Sequence, residues 1–387
     1  MGPTANPCVL FVKAPVEFPV AGEHLVYTTS STIDLDAPLQ TDTFLTKTLL
    51  LSPEPYMRDR MRDPSIADSY STPMKKDQPV VGLGLVLVLR SARENVNEGD
   101  YMFGFTPWEA YTVQPYTGPR VEYKGFPSWT IDMDRVLGLQ RVPNPQGAFP
   151  WTRYCSCLGT PGRAAYIGLE QFAPDAKAGC YADFISQGQT IYVSSGASGV
   201  GMLKTIASAG TDEKVKLMRS LGADVAFNYA TTPVGVALAS HGPIDFCFDN
   251  VGGEQLEAVL ENMNMNGRVI VRRSSFHAAI PLRTWYDTQS CGAISEYNLP
   301  PDQRYGIKNL SLLFKRRIRL EGFIISDTPE YYPRFEGEIV PMLVQGKLTA
   351  NEQLFEGLES GPEAFASLFN GKAKSKVVVV VDPKYAA

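Results

Sequence analysis

Four residues in a row, Ser198-Gly199-Val200-Gly201, come shortly after the apolar run TIYVS at 190–194. A glycine turn after a strand lets the backbone approach a pyrophosphate, and N–H groups at a helix start bind its charge. Taken alone, the same four residues read equally as an ordinary glycine turn. Lys214 falls in the first turn of the helix expected after the next strand. In a dinucleotide-binding fold that turn meets the adenosine ribose. An acid there favours the 2′-hydroxyl of NAD, and a base favours the 2′-phosphate of NADP. A solvated helix lysine is the competing reading, and the commoner fate of lysines. Asn250 follows a further strand, at the sheet edge where ligands bind. Beside Gly252-Gly253 it reads equally as a turn asparagine.

The metal-ligating types are sparse. The histidines are His24, His241 and His277, and the cysteines stand at 8, 155, 157, 180, 247 and 291. They show no ligand-like spacing, and a closed zinc site needs four clustered ligands, so no metal is expected. That favours reduction of an activated C=C bond over alcohol oxidation, where a metal normally polarises the alkoxide. Such a reduction needs a hydride donor at the β-carbon. It also needs a hydrogen-bond donor at the carbonyl oxygen, which gains charge as an enolate forms. A tyrosine hydroxyl suits the second role, but the chain has 18 tyrosines and residue type alone selects none.

These groups must be carried by a scaffold. At 387 residues two domains are the default. With 44% apolar and 20% charged residues the chain has the profile of a soluble globular protein. A net charge of −5 argues against nucleic acid or an anionic membrane as partner. No apolar run approaches the ~18 residues of a membrane span, and no secretion signal is read at the start. Scattered cysteines fit reduced thiols in the cytoplasm.

The first 150 or so residues carry short β-type runs at 44–51, 80–89 and 111–115. Gly82, Gly84 and Gly99 suggest bulges or bends among them, and a distorted barrel is expected. From about Leu158 strands alternate with helices. Strands are expected at 190–194, 204–209, 224–229, 244–249 and 268–271, with helices over 212–221 and 253–263. Thr211 caps the first helix, acids fill its first turn, and Gly222 stops it. This alternation means an α/β class with a doubly wound parallel sheet. A short helix at 363–369 and a valine-rich strand at 376–381 resume the character of the first 150 residues. The α/β unit is then an insert in the first domain.

Seven blocks carry a family resemblance: PYMRDRM at 55–61, LGTPGRAAYIGL at 158–169, VSSGASGVG at 193–201, GTDEKVKLMRSLGADVAFNY at 210–229, FDNVGGE at 248–254, CGAISEYN at 291–298 and GFIISD at 322–327. In this order they resemble the zinc-independent branch of the medium-chain dehydrogenases/reductases. Within it they are similar to the leukotriene dehydrogenases/prostaglandin reductases and the plant alkenal double-bond reductases. The resemblance implies a GroES-like β-barrel catalytic domain plus a Rossmann doubly wound parallel sheet, with the site in the cleft between them. The matching boundaries are 1–157 and 336–387 for the catalytic domain and 158–335 for the Rossmann domain. It implies NADPH-dependent reduction of the C=C bond of enals and enones, and a homodimer. Carried over by residue, Lys214 and Tyr229 hold the 2′-phosphate, and Ser198, Gly199, Val200, Gly201 and Asn250 meet the cofactor. Cys291, Gly292, Ala293, Ile294, Ser295, Glu296 and Tyr297 line the nicotinamide, with Phe323, Ile324 and Ile325. Tyr297 takes the enolate-stabilising place and Tyr56 faces the substrate.

Three stretches depart from that pattern. Only Met202-Leu203 separate Gly201 from the strand expected at 204–209. A parallel crossover needs about a dozen residues or more, usually a helix. The pyrophosphate-binding helix is therefore expected to be missing, with strands one and two not joined as a normal βαβ unit. That supports an alternative, a non-catalytic relative acting as a structural or interaction protein. CYADFISQ at 180–187 stands where a tight turn is usual, and residues 272–290 interrupt what is one strand in the family. Ala373 stands where relatives often keep a cofactor asparagine.

Overall fold

The computed structural model describes residues 2–65, 71–116, 138–172, 189–194, 206–272, 295, 298–299, 303–325 and 328–386. Strand β1, Phe44–Ser52, is buried along its length except at Lys47, as befits a strand covered on both faces. A single helical turn follows, α1, Met57–Arg60. Strands β2 (Val81–Ser91), β3 (Tyr101–Pro107), β4 (Tyr111–Gln114) and β5 (Gln140–Arg141) complete the first run. The β1–β2 register shifts twice, between Leu45 and Thr46 and between Thr48 and Leu50. Gly84 lies beside the second shift, and a Cβ there would stand 2.8 Å from the Leu50 carbonyl oxygen. Glycine is required at that close approach.

Helix α2, Thr160–Phe172, leads into the α/β unit. Its strands are β6 (Ile191–Val193), β7 (Ile206–Ala209), β8 (Val225–Asn228), β9 (Ile244–Asp249), β10 (Met263–Arg272) and β11 (Arg319–Phe323). Between them lie α3 (Asp212–Ser220), α4 (Val234–His241), α5 (Gly253–Asn262) and α6 (Ser311–Lys315). The chain then forms α7 (Tyr332–Val344), β12 (Glu352–Glu356), α8 (Gly361–Ser367) and β13 (Lys376–Val380).

The α/β strands lie in the order β8-β7-β6-β9-β10-β11, and every neighbouring pair is parallel. This is the 3-2-1-4-5-6 order of a dinucleotide-binding sheet, with its topological switch point between β6 and β9. The other large sheet runs β5-β3-β2-β1-β13-β12, with β4 on β1. Its pairings do not close into a barrel among the described residues. The late strand β13 pairs antiparallel with β1, so the chain's last strands complete the sheet its early strands began. One apolar cluster joins the two sheets, containing Leu49, Leu85 and Val378 from one and Ile191, Phe248 and Ile270 from the other.

One expectation falls mostly on residues outside the described ones, and a second needs correction. Strands β6 and β7 are joined as parallel neighbours, with Tyr192 opposite Ile206 and Val193 opposite Ala207. The physical reason is strand length. β6 and β7 have three and four residues, so the chain must return only ~10–13 Å. The twelve residues 194–205 can reach ~40 Å. Residues 195–205 themselves lie outside the described ones. Second, the strand expected at 268–271 begins at Met263, directly after α5. Its polar start is held by Asn264 Nδ2, which donates to Asp245 Oδ1 at 2.7 Å. Among the described residues no helix is long and apolar enough to cross a membrane.

Candidate active site

The switch point is built by two buried side chains at adjacent strand ends. Ser194 follows β6 and Asp249 ends β9, and both are 0% exposed. Ser194 Oγ donates to Asp249 Oδ1 at 2.8 Å and accepts from the Asn250 backbone N–H at 2.7 Å. Asn250 Nδ2 donates to the Ser194 carbonyl at 2.8 Å. Asp249 also accepts from the N–H groups of Val251 (3.2 Å) and Gly252 (3.0 Å), which folds the loop into α5. Gly252 and Gly253 take φ of 70° and 58°, where glycine is favoured. Ser295 Oγ donates to the Val251 carbonyl at 2.6 Å. The structure thus brings Asn250 and Ser295 to one loop.

Burial pushes the Asp249 carboxyl above its ordinary range, against the opposing pull of its three hydrogen bonds. A carboxyl whose folded pKa exceeds its unfolded value binds its proton more tightly when folded. Stability then falls as pH rises from the ordinary Asp value through the raised one, and levels off above it. Asp249→Asn is expected to remove that slope. It should also cost ~1–3 kcal/mol, because its amide turns an N–H toward one of three donors. Urea unfolding between about pH 4 and pH 7 checks both; an unchanged slope would refute the assignment of the slope to Asp249.

The second part of the site lies at the end of β7. Thr211 Oγ1 accepts from the Lys214 N–H at 3.4 Å and caps α3. Asn228 Nδ2 donates to Asp212 Oδ1 at 2.8 Å, tying the end of β8 to that helix. Tyr229 follows β8, and its N–H donates to the Ala209 carbonyl at 3.0 Å. Its hydroxyl hangs over Gly210, where a Cβ would stand 2.7 Å away. Any larger residue at 210 would therefore displace the phenol. Lys214 is half-buried, and burial pushes its ammonium pKa down. No carboxylate among the described residues forms an ion pair with it; its neighbour Glu213 pairs with Lys374 at 3.2 Å. A partly desolvated cation in the helix's first turn and a phenol hydroxyl over the glycine before that helix are donor types that fit a phosphate dianion.

Tyr56 is 6% exposed and packs with Met57, Met61 and Trp108. Phe323 is also buried, its ring against Gly168 and Phe248. Ile324 and Ile325 are half-buried, and the Ile325 carbonyl accepts from Tyr332 Oη at 3.0 Å. Ser198, Gly199, Val200, Gly201, Cys291, Gly292, Ala293, Ile294, Glu296 and Tyr297 lie outside the described residues. Sequence reasoning missed Ser194, Asp249 and Arg58. The first two had a signal, a polar residue closing each of two apolar strands. Arg58 had another, three arginines within five residues beside Tyr56. Among the described residues no group of three or more His, Cys, Asp and Glu could hold a metal ion.

Comparison with known proteins bears on this site. Residues 15–120 match the family described as N-terminal domain of oxidoreductase, and residues 191–272 match zinc-binding dehydrogenase. The chain is 34% identical to the NADP(+)-dependent 2-alkenal reductase of Nicotiana tabacum over 90% of each chain. It is 31% identical to the (+)-pulegone reductase of Mentha piperita over 87% of each. Among solved structures, CurA of Vibrio vulnificus in complex with NADPH superposes with a TM-score of 0.73 at 26% identity, covering 97% of this chain and 99% of that one. Both halves of the chain match, and the relatives run nearly its full length; it therefore belongs to the medium-chain dehydrogenase/reductase family.

Proposed function

We propose that the chain is an NADPH-dependent reductase of the C=C bond of α,β-unsaturated carbonyl compounds. The observation that carries the cofactor choice is Lys214, a half-buried cation in the first turn of the helix after β7, with the Tyr229 hydroxyl over Gly210 at the end of that same strand. The reaction class rests on relatives named as alkenal and pulegone reductases. When bound, the nicotinamide supplies the hydride. Lys214 and Tyr229 hold the 2′-phosphate, and the turn Ser198–Gly199–Val200–Gly201 offers backbone N–H groups to the pyrophosphate. Asn250, fixed by Ser194, orients the ligand at the switch point. Tyr297 donates a hydrogen bond to the substrate carbonyl oxygen as that atom gains charge. Tyr56 belongs to the wall of the substrate pocket. In this reading 1–157 and 336–387 form the catalytic domain and 158–335 the cofactor domain.

Loss of NADPH absorbance with a simple enal or enone, and mass analysis of the product, test the reaction. A saturated carbonyl product is expected; an allylic alcohol would overturn the reading. Lys214→Ala should raise KM for NADPH ~10–100-fold, the worth of a hydrogen bond to a charged group. KM for NADH should stay put. Equal effects on both cofactors would remove Lys214 from the phosphate site.

A further inference from the structure

Arg58 is a buried cation, 7% exposed, with no carboxylate in ion-pair contact among the described residues. Its guanidinium instead gathers two other chain segments. Nε donates to Asn298 Oδ1 at 3.0 Å, and Nη2 donates to the carbonyls of Pro15 (3.2 Å) and Glu17 (2.8 Å). Burial pushes its pKa down to about 10, so it stays charged at neutral pH. Holding a desolvated guanidinium is costly unless its donors are used. Arg60, two residues on, donates to the carbonyls of Thr72 and Val81. Arg58 reaches across 240 residues of sequence.

What it reaches is the end of the CGAISEYN block. Ser295 is anchored to the Val251 carbonyl at the switch point, and Asn298 is anchored to Arg58 beside the Tyr56 turn. Glu296-Tyr297 are the two residues between those anchors. Tyr297 directly precedes Asn298 in the chain. An error of ~1 Å in the placement of a catalytic group costs up to about 10²-fold in rate.

We infer that Arg58 is a positioning residue, which fixes the backbone next to Tyr297 by holding the Asn298 side chain from the other domain. This rests on the proposed role of Tyr297 at the substrate carbonyl. The planar fork of Arg58 does what a lysine could not, since one Nε–H and one Nη2 address two segments at fixed angles.

The test is a double-mutant cycle on the full chain with NADPH and an enal. Arg58→Lys and Asn298→Ala should each lower kcat about tenfold, with KM for NADPH unchanged. The double variant should be no slower than either single one, because both remove the same contact. In a Tyr297→Phe background, Arg58→Lys should leave kcat where Tyr297→Phe alone puts it. The same tenfold loss in that background, or an undiminished kcat in Asn298→Ala, overturns the proposal. An undiminished kcat in Tyr297→Phe instead overturns the reading of Tyr297 itself. Asn298 is only half-buried, so Asn298→Ala is expected to fold and decides the matter should Arg58→Lys not fold.

Discussion

Lys376→Met should destabilise the protein by ~3–5 kcal/mol, the cost of removing one partner from a buried ion pair. Lys376 and Glu54 have side chains 6% and 3% exposed, with Nζ 3.1 Å from Oε1. Lys376 also donates to the Pro53 carbonyl at 2.7 Å, and Ser52 Oγ donates to Glu54 Oε1 at 3.1 Å. Without the ammonium, Glu54 keeps Ser52 as a neutral donor and sits desolvated. The pair links the loop just after β1 to the first residue of β13, so its loss strikes the seam that joins the two ends of the chain. Glu54→Gln combined with Lys376→Met should recover most of the loss, since no charge is then left buried. Urea unfolding of the three proteins measures this. A loss below about 1 kcal/mol in Lys376→Met would place the pair with exposed ion pairs in worth.

How much of this could be read from the chain depends on which force each element answers to. Asp212–Ser220 was legible because a local rule fixes it: Thr211 caps, Asp212 and Glu213 meet the dipole, Gly222 turns out at φ 95°. The strand Ile244–Asp249 was legible because IDFCFD is buried almost throughout. Val234–His241 was not. Its sequence VGVALASH is apolar nearly all round, yet Val236 is 59% exposed, so no face stands out. The polar start of Met263–Arg272 hid a strand whose pairing is set by Ile244 and Asp245. The helix expected to be missing between strands one and two falls on residues outside the described ones, and only the parallel pairing of those strands is seen.

The site divides along the same line. Lys214, Tyr229 and Asn250 sit at ends of strands and starts of helices, places a sheet topology predicts. Ser194, Asp249 and Arg58 act through contacts between residues 41 to 240 apart in sequence. A polar strand end or an arginine cluster flags each residue but not the partner it meets; only the packed fold brings them together. Buried polar groups of this kind must find partners or cost heavily, so each reports on what it holds in place.

Tyr297→Phe should lower kcat ~10²–10³-fold, equivalent to ~2.7–4 kcal/mol of lost transition-state stabilisation. On the proposed role of Tyr297 at the substrate carbonyl, the effect is electrostatic. Hydride arrival at the β-carbon moves charge onto the carbonyl oxygen, and a hydroxyl aimed there is worth most when that charge is greatest. The substrate's neutral carbonyl gains less from the same donor, so KM for the enal should change little. The hydroxyl donates without ionising, so the variant should lower the whole pH–rate profile without moving its limbs. Phenylalanine keeps the ring, which separates the loss of one hydrogen bond from a loss of packing. A raised KM with kcat intact would mean that Tyr297 binds substrate and transition state alike. A loss of less than about threefold in kcat/KM would mean the developing charge is met by another donor. Either result would move the search to the remaining polar groups of the CGAISEYN block, with Ser295 already held at the switch point by Val251.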